Sequence, residues 1–335
     1  MRGVRPAGDA GHIGLLLPTA PQGEIPVQSG RTTGRNSGGT WGTTSWLRQV
    51  AEDAETLGAG ALWAVDHLFW GRPMLECLTV ATVAATATRH VTVGTCVLQL
   101  PLRSPAAVAK QAATVQTLSG GRFVLGVGTG SHPGEYAAAG ASSAYPRRGH
   151  VLDDGIDALR AAWSTAADLS LPYRQEPAPA PVPVWIGGSS AAARRRAAAR
   201  GDGWIPLFLG PDDLARGVDL LRQETAAAGR DPMAVTPAVV LPMAVGTDPA
   251  THERGTQWLA RLYGIPPKAF ARHLVAGSPD RCAEVVARYQ EAGAEHVVVM
   301  VADDDALGHF ARLIAALEPQ PATRRPWHEH TEVPA

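Results

Sequence analysis

Residues 123–130 read Phe-Val-Leu-Gly-Val-Gly-Thr-Gly, an apolar run that closes on alternating glycines. A short, solidly apolar run of this kind predicts a strand covered on both faces. A dinucleotide fingerprint, G-x-G-x-x-G, would need its third glycine at position 131, where the chain has Ser131. That fingerprint also belongs to an opening βαβ unit, whereas three strand–helix units precede this one. Gly128, Thr129 and Gly130 are therefore read as the place where a flat ligand meets bare backbone. A tight turn with no ligand is the plain alternative.

Outward from this run the same alternation repeats. Strands are predicted at His12–Leu17, Ala61–Val65, Val91–Leu98, Phe123–Val127, Val182–Ile186, Trp204–Leu207, Val235–Val245 and His296–Val301. Each is followed by an alanine-rich helical stretch; Ser104 and Pro105, for example, read as the N-cap and first residue of a helix over Pro105–Leu118. Strictly alternating strands and helices mean a parallel sheet. Eight units predict closure into an α/β, (β/α)₈ TIM barrel, with an open doubly wound sheet as the rival. A single domain over 12–318 follows, with a proline-rich, frayed tail over 319–335. Two insertions, after strands one and seven, fall at Thr19–Thr44 and Thr251–Ala276, on the catalytic face of a barrel. A third irregular stretch, Ala166–Pro181, is rich in proline.

Composition narrows the class. The 335 residues carry a formal net charge of −1, too balanced for a nucleic-acid or polybasic membrane surface. The three cysteines, Cys77, Cys96 and Cys282, are scattered, which argues against a disulfide framework or thiolate metal site and fits a cytoplasmic protein. No stretch reads as a signal peptide or membrane span. No metal is expected; His328-Glu329-His330 in the tail lacks anything to fix its geometry.

Chemistry collects at the strand ends. Asp66 and His67 directly follow the second strand. His67 is a candidate proton donor or acceptor near neutral pH, and Asp66 a candidate to orient it or to bind a polar cofactor group. Equally, Asp66 caps a turn and His67 is a surface residue. Gly187, Gly188, Ser189 and Ser190 end the fifth strand and open a helix whose free N–H groups suit a phosphate. The sequence lacks G-x-x-x-x-G-K-[ST], so that phosphate would belong to a bound cofactor. Arg194, Arg195 and Arg196 lie in the next turn, either near that phosphate or as a solvated face.

Together these segments resemble the luciferase-like monooxygenase superfamily, and within it the branch that uses the deazaflavin coenzyme F420. The segments are Ala64–His67; Gly94–Pro105 with Val108–Gln111; Leu118–Gly130 with Glu135, Tyr136 and Gly140; and Pro183–Ser190 with Gly201-Asp202-Gly203-Trp204. The resemblance implies a barrel holding F420, or FMN as the alternative, at the C-terminal ends of its strands. It implies a non-proline cis peptide at Cys96–Val97, bulging against the cofactor ring. It places Gly187, Gly188 and Ser189 at the phosphate, Gly128, Thr129 and Gly130 along the ring, Asp66 at ring-side polar groups, and His67 toward substrate.

In one respect the chain departs from the sugar-phosphate dehydrogenases of that branch. They carry a catalytic glutamate where this chain has Ser131. Glu135, one turn on, is read as structural or rim-forming, and His132 as a substitute acid. The expected activity is hydride transfer between F420 and a small organic substrate, with His67 as acid or base positioned by Asp66. The alternatives are an FMN-dependent monooxygenase using oxygen and a flavin carrier without turnover. Trp41, Trp70, Trp258 and Tyr263 are expected to wall an apolar pocket, with ordinary core or lid packing as the alternative for each. A homodimer is the assembly the resemblance suggests, although no helix face marks an interface.

Overall fold

A computed structural model describes residues 12–19, 44–164 and 181–318. Trp41, most of the first insertion, nearly all of Ala166–Pro181 and the tail with His328-Glu329-His330 lie outside the described residues.

Eight parallel strands close on themselves: β1 (Ile13–Leu16), β2 (Ala61–Ala64), β3 (Thr92–Thr95), β4 (Phe123–Gly128), β5 (Val184–Gly187), β6 (Gly203–Ile205), β7 (Thr236–Val245) and β8 (His296–Val301). Closure is direct, with β8 pairing both β7, at Val297↔Val239, and β1, at Val297↔Ile13. The open sheet is excluded. Eight helices sheathe the barrel: α1 (Thr44–Thr56), α2 (Cys77–Ala87), α3 (Pro105–Leu118), α4 (Arg148–Trp163), α5 (Ala191–Arg200), α6 (Pro211–Ala227), α7 (Pro279–Glu291) and α8 (Ala306–Leu317). Ser104 is the N-cap residue of α3 and Pro105 its first residue, but the serine side chain makes no capping bond. Among the described residues no helix is long and apolar enough to cross a membrane.

Large rings fill the barrel at its base. Trp63 lies 5.2 Å from Trp185, and its indole N–H donates to Nε2 of His296 at 3.1 Å. Glycines on neighbouring strands make the room: a Cβ on Gly14 would fall 2.7 Å from Trp63, and one on Gly203 would fall 2.5 Å from Trp185. Packing at this density leaves no space for an added methyl group.

Two expectations need correction. The third strand does not run unbroken over Val91–Leu98. It leaves the ladder at the cis Cys96–Val97 bond and resumes as Leu98–Gln99, paired with Val127 and Gly128. Its bulge passes close to β4, where a Cβ on Gly126 would lie 2.0 Å from the Thr95 carbonyl oxygen. The second insertion is not a long loop. It forms a helix, Thr251–Tyr263, ending at Gly264 in the left-handed conformation, and returns as a short strand, Val275–Gly277, alongside β7. Leu259, Phe270 and Leu274 of this insertion are buried, so apolar packing overrides the loop-like composition.

Candidate active site at the C-terminal mouth of the barrel

Asp66 and His67 follow β2, and the structure separates their tasks. The Asp66 carboxylate is fully buried and receives both guanidinium nitrogens of Arg103, at 2.7 and 2.8 Å, and the Gln99 N–H at 2.9 Å. It is saturated by the segment that follows the cis bond. Asp66 therefore does not position His67; it anchors the bulge.

The carboxylate that meets His67 is Glu135, in a short helix, Pro133–Ala138, after β4. His67 Nδ1 lies 3.0 Å from Glu135 Oε2. Glu135 Oε1 accepts from Leu68 N–H at 2.7 Å, Phe69 N–H at 3.2 Å and Gln99 Nε2 at 3.0 Å. Burial opposes the charge, yet the bonds from His67, Gln99 and Phe69 hold this carboxyl below its ordinary range. It is ionised at neutral pH and acts only as an acceptor, so Nδ1 carries the proton it receives. Gln99 confirms that tautomer, because both its amide hydrogens have acceptors, the Asp66 carbonyl and Glu135. Nε2 of His67 has no partner among the described residues. Glu135, read from sequence as rim-forming, is the group that orients the imidazole.

The ring is held from its face as well. Trp70 stacks on His67 with centroids 3.7 Å apart and planes 22° apart. The Trp70 N–H donates to the Leu262 carbonyl at 2.9 Å, which ties the end of the insertion helix to the histidine. His132 is exposed and meets Trp70 edge-on at 5.0 Å. Its ring contact is with Trp70, and it makes no hydrogen bond to His67.

A cavity of about 860 Å³, its mouth included, opens here. Its walls include Leu16, Met74, Met300, Trp70, Trp258 and Tyr263, with His67 on one side and Arg72, Asp303 and Asp304 among the polar groups. Trp70, Trp258 and Tyr263 thus wall the pocket as expected. Of the residues expected to bind cofactor or act in catalysis, His67 alone lines this cavity.

The other expected cofactor residues gather on the adjacent strand ends. Gly128 and Gly187 face Val97, the residue after the cis bond: a Cβ on either would lie 2.7 or 2.6 Å from Val97 Cγ2. The atom that approaches these two glycines is thus a side chain of the chain itself. Two tyrosines clamp the turn beyond β4: Tyr136 donates its hydroxyl to the Thr129 carbonyl, and Tyr145 donates to the Ser131 carbonyl at 3.0 Å. Burial pushes the Cys96 thiol up to about 12, so it stays protonated and is no nucleophile.

At the start of α5, Gly188 has a φ of +119°, a conformation that favours glycine. Ser190 caps the helix by accepting from Ala193 N–H. The N–H groups of Ser189, Ser190, Ala191 and Ala192 have no partner among the described residues and face solvent-exposed surface. Ser189 Oγ donates to the Leu207 carbonyl at 2.5 Å and accepts its N–H at 3.2 Å, which fastens this turn to the segment just after β6. Arg194 and Arg196 turn to Glu224 and Asp153 instead, leaving Arg195 exposed.

Residues 13–264 match the family described as luciferase-like monooxygenase. The chain belongs to that family. An uncharacterized protein of Mycobacterium tuberculosis is 35% identical over 170 residues, covering 48% of this chain and 57% of that protein. The chain thus spans little more than half the length of the first curated relatives it matches. A phthiodiolone/phenolphthiodiolone dimycocerosates ketoreductase of Mycobacterium kansasii is 26% identical over 269 residues, covering 68% of this chain and 72% of the relative. Among solved structures, an F420-dependent secondary alcohol dehydrogenase superposes with a TM-score of 0.70 at 20% identity, over 81% of this chain and 94% of its own. A long-chain alkane monooxygenase gives 0.68 at 14% identity, over 82% of each chain. At these identities the superpositions establish a common barrel.

Proposed function

We propose that the chain is an oxidoreductase that passes a hydride between coenzyme F420 and a small organic substrate, with His67 as the proton-transfer group. The observation that carries this reading is the His67–Glu135 pair. An imidazole fixed through Nδ1 by a buried carboxylate, with Nε2 left unpartnered beside a largely apolar cavity, is built to take a proton and to be stabilised once charged.

The residues fit a phosphate-bearing planar cofactor. The exposed turn at Gly188, with four open N–H groups at the start of α5, suits a phosphate. The Cys96–Val97 bulge and the clamped Gly128–Gly130 turn would hold the ring. When bound, F420 supplies the carbon that gives or accepts the hydride. The chain then orients the substrate against the Trp70 face, shields it from water, and holds or moves one proton at Nε2 of His67. Glu135 keeps that proton transfer on Nε2 by occupying Nδ1. The ketoreductase and F420-dependent alcohol dehydrogenase among the relatives agree with a carbonyl or hydroxyl substrate.

A second reading, a monooxygenase working with reduced FMN and oxygen, is favoured by the description of the matching family and by the likeness to the alkane monooxygenase. Titrating the purified protein separately with F420 and FMN, and following fluorescence, separates the two. Saturable binding of F420 supports the proposal; tight FMN binding with no response to F420 overturns it.

A further inference from the structure

Tyr263 is the last residue of the insertion helix, and its side chain lines the same cavity as His67. Its ring is set by neighbours on several sides: Trp70 edge-on at 6.3 Å, Phe208 at 6.0 Å and Phe270 at 5.4 Å. Phe208 holds a φ of 63°, unusual for an aromatic residue, to reach this cluster. The Tyr263 hydroxyl is poorly served. Its sole hydrogen-bond partner among the described residues is the Met300 sulfur at 4.0 Å, a weak acceptor at long range. Burial pushes this hydroxyl up to about 12, so at neutral pH it is a donor. The ring is half-buried, and its hydroxyl, with only a weak acceptor in the protein, is free to donate to a ligand that enters the cavity.

Its position relative to His67 is not left to chance. Trp70 lies flat on the imidazole and bonds to the carbonyl of Leu262, the residue before Tyr263. One indole therefore touches both the imidazole and the Tyr263 ring and ties the two sides of the cavity together. The charged groups in the lining carry no excess of positive charge that would draw an anion: one cation, Arg72, shares the wall with two carboxylates, Asp303 and Asp304, and Asp304 already accepts the Trp258 N–H at 2.9 Å.

We infer that Tyr263 donates its hydroxyl to the substrate oxygen, opposite Nε2 of His67, and so selects a neutral carbonyl or hydroxyl compound with an apolar chain. The inference deepens the oxidoreductase reading and names its substrate class. Tyr263 binds and orients the oxygen, and no bond is made or broken at the phenol.

The test is an equilibrium measurement on the full 335-residue chain that needs no cofactor. Trp70 and Trp258 line the cavity, so their fluorescence reports ligand entry. The probes are 2-octanone and 2-methyl-1-octene, which match in shape while the alkene lacks the acceptor oxygen. The wild type should prefer the ketone by about threefold to tenfold, the range of one neutral hydrogen bond. Tyr263→Phe should abolish that preference while leaving alkene binding unchanged, and its thermal unfolding should match the wild type because only a bond to sulfur is lost. A ketone preference that survives in Tyr263→Phe overturns the inference. So does an equal loss for both probes, or a wild type with no preference. Failure of F420 to bind would overturn the hydride reading and leave this result standing.

Discussion

Replacing Glu135 by glutamine puts the imidazole relay to its most direct test. Glu135 is 3% exposed, and its two oxygens accept four N–H groups. An amide has only one oxygen. Kept on Leu68, Phe69 and Gln99, it turns its NH₂ toward Nδ1 of His67, and two donors face each other. The imidazole relieves the conflict by moving its proton to Nε2, which removes the lone pair from the cavity side. One charge-assisted hydrogen bond, about 1.5–3 kcal/mol, gives way to a neutral one of about 1 kcal/mol. The fold should therefore lose only about 0.5–2 kcal/mol. Turnover should lose far more, since positioned proton transfer contributes roughly 10²–10⁴-fold. Single-turnover absorbance of the bound cofactor gives the rate, and ¹⁵N shifts of His67 give the tautomer. The expected result is a fall in rate of about 10²–10⁴ with cofactor affinity changed by no more than about twofold. A rate within about threefold of wild type, with the proton on Nε2, would refute the relay.

The remaining predictions concern the scaffold. Because the Glu135 carboxyl sits below its ordinary value of 4.5, its stabilisation is complete above that pH and is lost as pH falls through the native value; Glu135→Gln should flatten that part of the acid limb in urea titrations. Arg103→Met strands the buried Asp66 charge and should cost about 3–5 kcal/mol, read from the urea midpoint. Gly187→Ala drives a methyl group into Val97 and should cost about 1–3 kcal/mol, with Val97→Ala in the same chain restoring part of it. Burial, with His12 adding to it, pushes His296 down to about 4, so the native state resists a proton that the unfolded chain accepts below about pH 6.5; stability should fall by about 3 kcal/mol on acidification toward pH 4, and His296→Gln should remove that slope.

Solid apolar runs and their alternation gave the eight strand–helix units, and the family resemblance pointed to the barrel and to the cis bond at Cys96–Val97, because these are local or ordered signals along the chain; the same alternation also allowed an open sheet, and only the pairing of β8 with β1 excludes it. It also put His67 at the mouth, since a residue directly after a strand can only sit at that strand's end. Partnership was not legible. Glu135 lies 68 positions from His67, and only the curl of the barrel sets the β4 exit beside the β2 exit. Asp66, adjacent to His67 in sequence, is drawn the other way by Arg103 and Gln99. Those two were visible as polar residues in an apolar stretch, a signal that marks burial without naming the partner. The β4 glycines were read as the place where a ligand meets bare backbone and Gly187 as part of a phosphate turn, whereas the residue that approaches Gly128 and Gly187 is Val97, which depends on how the bulge turns inward. Tyr263 was expected in the pocket wall, but its link to His67 through Trp70 and the Leu262 carbonyl exists only in the folded chain. Backbone periodicity is written in neighbouring residues, whereas the pairing of charges and donors is decided by distances that exist only after the cylinder has closed.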